Sequence, residues 1–163
     1  PMVQRALDAA AGLFSGRVVV TRHESVAALC REQHVDVVLH DLPNRNDTIR
    51  LGLEALGDVD ACLFLPGDQP LLRRETVAML LQHRKAAPDR IIRPAYEDIE
   101  GSPVLFPAWA FPELKNLPEG RGGGAVIKNH PDAVCRILIC DPFELADADT
   151  PEMLETLKGL CHD

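Results

Sequence analysis

The segment Ala61-Cys62-Leu63-Phe64-Leu65-Pro66-Gly67-Asp68-Gln69-Pro70-Leu71 carries five apolar residues into a proline-bracketed Gly-Asp pair, then returns at once to apolar sequence. A short apolar run closed by turn residues reads as a buried strand. A turn calls for Gly or Pro but not for an acid, so Asp68 needs a reason of its own. The runs RVVVT (17–21) and VDVVL (35–39) have the same character as 61–65. Between these strands lie helical patterns. Residues 2–14 place apolar side chains at 2, 3, 6, 9, 10, 13 and 14, with Gly16 as the expected cap, and 24–33, 47–56 and 73–85 follow. Strands alternating with helices predict βαβ units, hence an α/β fold with a mostly parallel sheet covered on both faces.

The second half is less regular. Strands are expected at 90–94, 103–106 and 135–140, short helices at 111–114 and 125–129, and a closing helix at 151–160. No repeat, low-complexity tract or linker interrupts residues 1–163, so a single domain is expected. The 163 residues suffice for one core, and 46% apolar with 26% charged residues is ordinary globular composition. No apolar run reaches the ~18 residues of a membrane span, and the opening segment lacks a signal-peptide layout. The net charge of −8 argues against a nucleic-acid backbone as partner, since that needs a basic stripe, but leaves a nucleotide open. Five cysteines (30, 62, 135, 140, 161) form no C-x-x-C pair. Cys62 and Cys140, within apolar runs, read as buried reduced thiols, which points to the cytoplasm.

In an open parallel α/β sheet, ligands bind beyond the carboxyl ends of the strands, where Asp68 would lie. Gly67 permits close backbone approach and Pro66 stiffens the turn. A carboxylate so held suits Mg²⁺, a hard ion that takes one or two carboxylates plus substrate phosphates; an isolated Gly-Asp is equally an ordinary turn. A second acidic stretch, ELADADTPE (144–152), shifts the balance. Thr150 is an N-cap with Pro151 at the first helical position, so the cap is satisfied without either aspartate. Asp147 and Asp149 are two apart in an extended segment and face one way. Together with Asp68 they would hold a divalent ion, although a solvated acidic loop reads the same way.

NRNDTIRLGLEAL (44–56) starts a helix with Asp47 or Thr48 as N-cap, and polar groups at a helix start suit a base or phosphate. Gly52 inside that helix costs ~1 kcal/mol against Ala, so either a ligand or a packing neighbour must approach it. Arg121, Gly122 and the following glycines precede a helix and form an anion-binding nest or a plain mobile loop; Ser102 either lines the same pocket or turns the chain. The histidines (23, 34, 40, 83, 130, 162) show no metal-ligand spacing, and no G-x-S-x-G elbow is present. A side-chain nucleophile is therefore not indicated.

In order, LPGDQP (65–70), DTIRLGL (47–53), GSPVLFP (101–107), GRGGG (120–124) and DADTPE (147–152) resemble the MobA/MocA-like nucleotidyltransferases, most closely the molybdenum cofactor cytidylyltransferase branch. The resemblance implies a Rossmann-like three-layer fold and Mg²⁺-dependent transfer of CMP from CTP to a molybdopterin-type acceptor, with pyrophosphate leaving. It implies that Asp68, Asp147 and Asp149 are catalytic metal ligands. It further implies that Asp47, Thr48, Gly52, Pro66, Gly67, Ser102, Arg121 and Gly122 line the nucleotide and acceptor sites. A molybdoenzyme or maturation chaperone is an expected partner. The family opens with a strand and a phosphate loop of the form L-x-A-G-x-S-x-R-M-G-x-x-K. Nothing here matches it, and residues 1–7 correspond to the stretch just after it, so a missing first strand is expected. An N-terminally truncated chain is the expected explanation; negligible activity is expected if the family's loop is absent from the whole protein. Other readings are a non-catalytic nucleotide- or pterin-binding accessory protein, and guanylyl or sugar-phosphate transfer.

Overall fold

The computed structural model describes residues 1–160. Among the described residues seven α-helices and seven strands follow one another, alternating as far as β4: α1 (Met2–Ala10), β1 (Val18–Thr21), α2 (Glu24–Glu32), β2 (Asp36–Leu39), α3 (Arg45–Leu56), β3 (Ala61–Phe64), α4 (Arg74–Ala86), β4 (Ile91–Tyr96), β5 (Ile99–Glu100), β6 (Val104–Pro107), α5 (Phe111–Lys115), α6 (Gly124–Asn129), β7 (Val134–Leu138) and α7 (Pro151–Leu160). The chain forms two compact units whose boundaries run through β3 and β6.

The first unit comprises residues 1–13, 63–105 and 135–163. Its core joins Leu7 of α1, Val77 and Leu80 of α4, and Ile91 and Ile92 of β4, all buried. Complete burial of such a side chain contributes about 1.5–3 kcal/mol. The strand order of the larger sheet is β3-β6-β4-β5, with β7 paired to β4. Both β5 and β6 run antiparallel to β4, because a loop as short as Glu97-Asp98 can only reverse the chain. The returning strand is not continuous: Ala95 opposes Glu100 but Ile92 opposes Leu105, so five residue steps answer three. The surplus is a bulge at Gly101-Ser102-Pro103, where the Ser102–Pro103 bond is cis.

The second unit comprises residues 14–62 and 106–134. Here β1 and β2 pair in parallel from Val18↔Asp36 to Thr21↔Leu39, as the βαβ pattern requires. Its core includes Ala27 and Cys30 of α2, Leu53 of α3, Phe111 and Leu114 of α5, and Val126 of α6. Gly52 is explained by packing, since a Cβ there would lie 3.1 Å from Val20 Cγ2.

The expected α/β fold is present, but a mostly parallel sheet holds only for β1 and β2: β5 and β6 run antiparallel to β4, because short reversals rather than helical crossovers join them. Further expectations are corrected. α1 stops at Ala10, not near Gly16; Gly12, at φ 71°, takes the left-handed turn that Leu13 and Phe14 could not. α3 starts at Arg45 with Asn44 at its N-cap position, so neither Asp47 nor Thr48 is the cap. Cys140 is exposed rather than buried, because β7 ends at Leu138 and that apolar residue is itself 69% exposed. Among the described cysteines Cys30 alone is buried and Cys62 is half-buried, short of the burial expected for it; burial raises the pKa of Cys30 and pushes that of Cys62 up to about 12. Cys161 and His162 lie outside the described residues. Among those described, no helix is long and apolar enough to cross a membrane.

Candidate functional site

Asp68 sits in the turn after β3, half-buried and followed by buried Gln69 and Pro70. The backbone of Asp68 meets the loop between β7 and α7, where the Ala148 amide donates to the Asp68 carbonyl at 2.8 Å. Ala148 is buried, while Asp147 and Asp149 on either side are exposed. This is the alternation of an extended segment, with both aspartates on one face. One carboxylate oxygen from each of Asp68, Asp147 and Asp149 lies within 4.8 Å of the others. Beyond them Thr150 caps α7, its Oγ1 accepting from the Met153 amide at 3.1 Å.

The acid-bearing loop is tied down upstream as well. Asp141 accepts from the Phe143 amide at 2.9 Å and starts a 3₁₀ turn, Pro142–Leu145. Within that turn Glu144 is only 4% exposed. Its carboxylate accepts from the Arg73 amide at 3.1 Å and from Thr76 Oγ1 at 2.6 Å, at the start of α4. Gln69 Nε2 donates to the Leu145 carbonyl at 3.4 Å. Gly101 of the bulge packs on the same turn, since a Cβ there would stand 2.7 Å from Leu145 Cδ2. Ser102 and Pro103 follow it, so the bulge borders the acid-bearing loop through Gly101. Sequence reasoning passed over Glu144 and Gln69; an acid between Phe and Leu is the one local hint, and its partners are about 70 residues away.

The second unit holds the remaining candidates. Asp47 lies in the first turn of α3 and pairs with Arg50 at 3.4 Å. The Leu42 amide donates to His40 Nδ1, so Nε2 of the neutral ring carries the proton and donates to Thr48 Oγ1 at 3.1 Å. The start of α3 is bound to the glycine-rich loop: Asn44 Nδ2 donates to Glu119 at 3.2 Å, and the Gly120 amide donates to Asn46 Oδ1 at 2.9 Å. Gly122 lies against the exposed Arg45 side chain, where a Cβ would fall 2.6 Å from Arg45 Cδ. In this loop only Gly120 has positive φ, and Gly123 is already right-handed helical. Arg121 lines a pocket of about 300 Å³ with Lys128, Glu113, Asn116 and Asn129. Hydrogen bonds from Asn129 and His130 hold the Glu113 carboxyl below its ordinary pKa.

An α/β fold with acids just past a strand end suits a nucleotide-handling protein, and the family comparison shows the class. Residues 1–134 match the MobA-like NTP transferase domain, and the chain belongs to that family. It is 36% identical over 93 residues to the 3-deoxy-manno-octulosonate cytidylyltransferase of Helicobacter acinonychis (strain Sheeba); the match covers 54% of this chain and 37% of that relative. Among solved structures, Rv0371c from Mycobacterium tuberculosis H37Rv superposes with a TM-score of 0.80 at 23% identity, covering 96% of this chain and 83% of that one. The same protein in complex with manganese gives 0.74 at 23% identity, covering 96% and 84%. The molybdopterin-guanine dinucleotide biosynthesis protein A of Archaeoglobus fulgidus gives 0.66 at 16% identity, covering 99% and 85%. These likenesses establish the Rossmann-like nucleotidyltransferase fold.

Proposed function

We propose that the protein is a divalent-metal-dependent nucleotidyltransferase that moves CMP from CTP to the phosphate of a molybdopterin-type acceptor. The observation carrying this reading is the convergence of Asp68, Asp147 and Asp149 to within 4.8 Å. The donor set fits a hard cation. All three residues that would hold it are carboxylates, the oxygen donors a hard divalent cation takes. A bound Mg²⁺ or Mn²⁺ would neutralise charge on the transferring phosphoryl group. The manganese complex of the mycobacterial structure supports a divalent ion.

The chain's own residues then act by placement. Asp68, fixed through its carbonyl, and Asp147 and Asp149, fixed through Ala148, present a rigid acidic face. In the reaction an acceptor phosphate oxygen attacks the α-phosphorus of the nucleotide, the bond to the bridging oxygen breaks, and pyrophosphate leaves. No side-chain nucleophile is needed, in keeping with the absence of an indicated one. Within the first unit, Pro66, Gly67 and Ser102 are proposed as substrate contacts beside the acids; within the second, Asp47, Thr48, Arg121 and Gly122 are proposed as nucleotide or anion contacts, and Gly52 is accounted for by its packing on Val20. The choice of cytidine is supported by the cytidylyltransferase relative, and the pterin acceptor by the order of the sequence motifs. That relative also favours a second reading, transfer to a sugar-type acceptor.

The test is pyrophosphate release by the gene's full translation product. Each of CTP, GTP, ATP and UTP is paired with molybdopterin cofactor or with 3-deoxy-manno-octulosonate. CTP- and pterin-dependent release that Asp68→Asn lowers at least a hundredfold is expected. Turnover with the sugar acid alone selects the second reading. Full turnover in Asp68→Asn would refute the metal assignment.

A further inference from the structure

We infer that Glu144 is a positioning residue that holds Asp147 and Asp149 opposite Asp68; this rests on reading those three aspartates as a cation site. The two acid-bearing segments are distant in sequence, and each is a loop. Three links join them: the Ala148 amide to the Asp68 carbonyl at 2.8 Å, Gln69 Nε2 to the Leu145 carbonyl at 3.4 Å, and Glu144 to the head of α4. The Gln69 link is long, and its Oε1 is buried with no hydrogen-bond partner among the described residues, so that side chain is only partly satisfied. The Glu144 link is of another kind. A buried carboxylate takes a hydroxyl at 2.6 Å and a backbone amide at 3.1 Å, both charge-assisted.

The place of that amide explains the choice of residue. Arg73 is the N-cap position of α4 and makes no side-chain cap of its own. In a capping box, an acid at the third helical position returns to the N-cap amide. Here that helical position is Thr76, and Glu144 arrives from a remote loop to bond both groups. The positive end of a 13-residue helix favours its charge. Arg73 adds an outer tie, donating to Asp141 at 3.2 Å. The helix that follows Asp68 is thus the anchor for the loop bearing the other two acids, and Glu144 precedes Asp147 by three residues. Leu145, locked against Gly101, and buried Ala148 leave little slack between.

The experiment measures Mn²⁺ affinity of the chain without nucleotide, by the electron paramagnetic resonance signal of free Mn²⁺. Asp68→Asn is the reference, and circular dichroism monitors folding. Wild type is expected to bind and Asp68→Asn to lose binding. Glu144→Ala is expected to bind about tenfold or more weakly, the loss seen when an outer partner of a ligand is removed. Glu144→Gln keeps an acceptor oxygen for the Arg73 amide and the Thr76 hydroxyl, so it should stay within about threefold of wild type. Thr76→Val, which keeps side-chain shape and removes one tie, should weaken binding at least about threefold and covers the case in which Glu144→Ala does not fold. If Asp68→Asn loses binding while Glu144→Ala and Thr76→Val match wild type, the inference falls and the cation site stands. If Glu144→Gln is as weak as Glu144→Ala, the effect is charge rather than placement, and the inference also falls. If wild type does not bind, or Asp68→Asn binds normally, the cation site falls and the inference with it.

Discussion

Three carboxylates within 4.8 Å repel one another when nothing lies between them, so the site should cost stability in the metal-free protein. Asp149→Asn isolates that cost, because Asp149 is exposed and the change preserves size. Two unit charges 4.8 Å apart repel by about 0.9 kcal/mol in water, and Asp149 faces two such partners. Screening at physiological salt, with a Debye length of about 8 Å, leaves roughly 1 kcal/mol in all. Removing it should raise Tm by about 2–4 °C for a chain of this size. Metal reverses the order. Mn²⁺ at a hundred times its dissociation constant stabilises the wild type by about 2.7 kcal/mol, or roughly 5–10 °C, and the variant should lose most of this. Differential scanning calorimetry in EDTA and in MnCl₂ should therefore show the two proteins exchanging rank. In 1 M NaCl, where the Debye length is about 3 Å, the EDTA difference should fall to roughly a third. A variant no more stable than wild type in EDTA, or one that keeps the full Mn²⁺ shift, would refute the reasoning.

Gly101→Ala should destabilise by about 1–2 kcal/mol in urea unfolding, because a Cβ would lie 2.7 Å from Leu145 Cδ2 and 3.1 Å from its Cγ. Gly67→Ala, with open space around its Cβ and no positive φ, should stay within about 0.5 kcal/mol of wild type. Cys140→Ser should remove one equivalent from the fast phase of thiol titration at pH 8, whereas Cys62→Ser should not, since a pKa of about 12 leaves almost no thiolate. Hydrogen bonds from Asn129 and His130 lower the Glu113 pKa from 4.5, so they favour its ionised form. The resulting stability is present above 4.5 and is lost as pH falls through the lower folded value. A Tm-versus-pH series should consequently fall less steeply below pH 4.5 in Glu113→Gln.

Much of the site was legible because its signals are local. Pro66, Gly67 and Pro70 around one acid announce a fixed turn, and Thr150 before Pro151 announces the cap of α7, which the structure shows. The period of two correctly put both aspartates on one face with Ala148 buried between them. The start of α3 was misplaced by two residues, because Asp47 and Thr48 have N-cap chemistry but their side chains are taken by Arg50 and His40. Cys140 was misjudged for a related reason: an apolar run shows that some residues are buried, but not which face of a strand is covered.

The amino-acid sequence by itself determined the alternation of strands and helices and the identity of the three acids. Those are matters of short-range period, turn chemistry and residue type. Only the tertiary structure decided that the second-half strands return antiparallel through a two-residue surplus at Gly101–Pro103. It alone showed that Glu144, an unremarked acid in a loop, serves as the remote cap of α4. Both depend on contacts between segments far apart along the chain, and the closure of such contacts has no local signature.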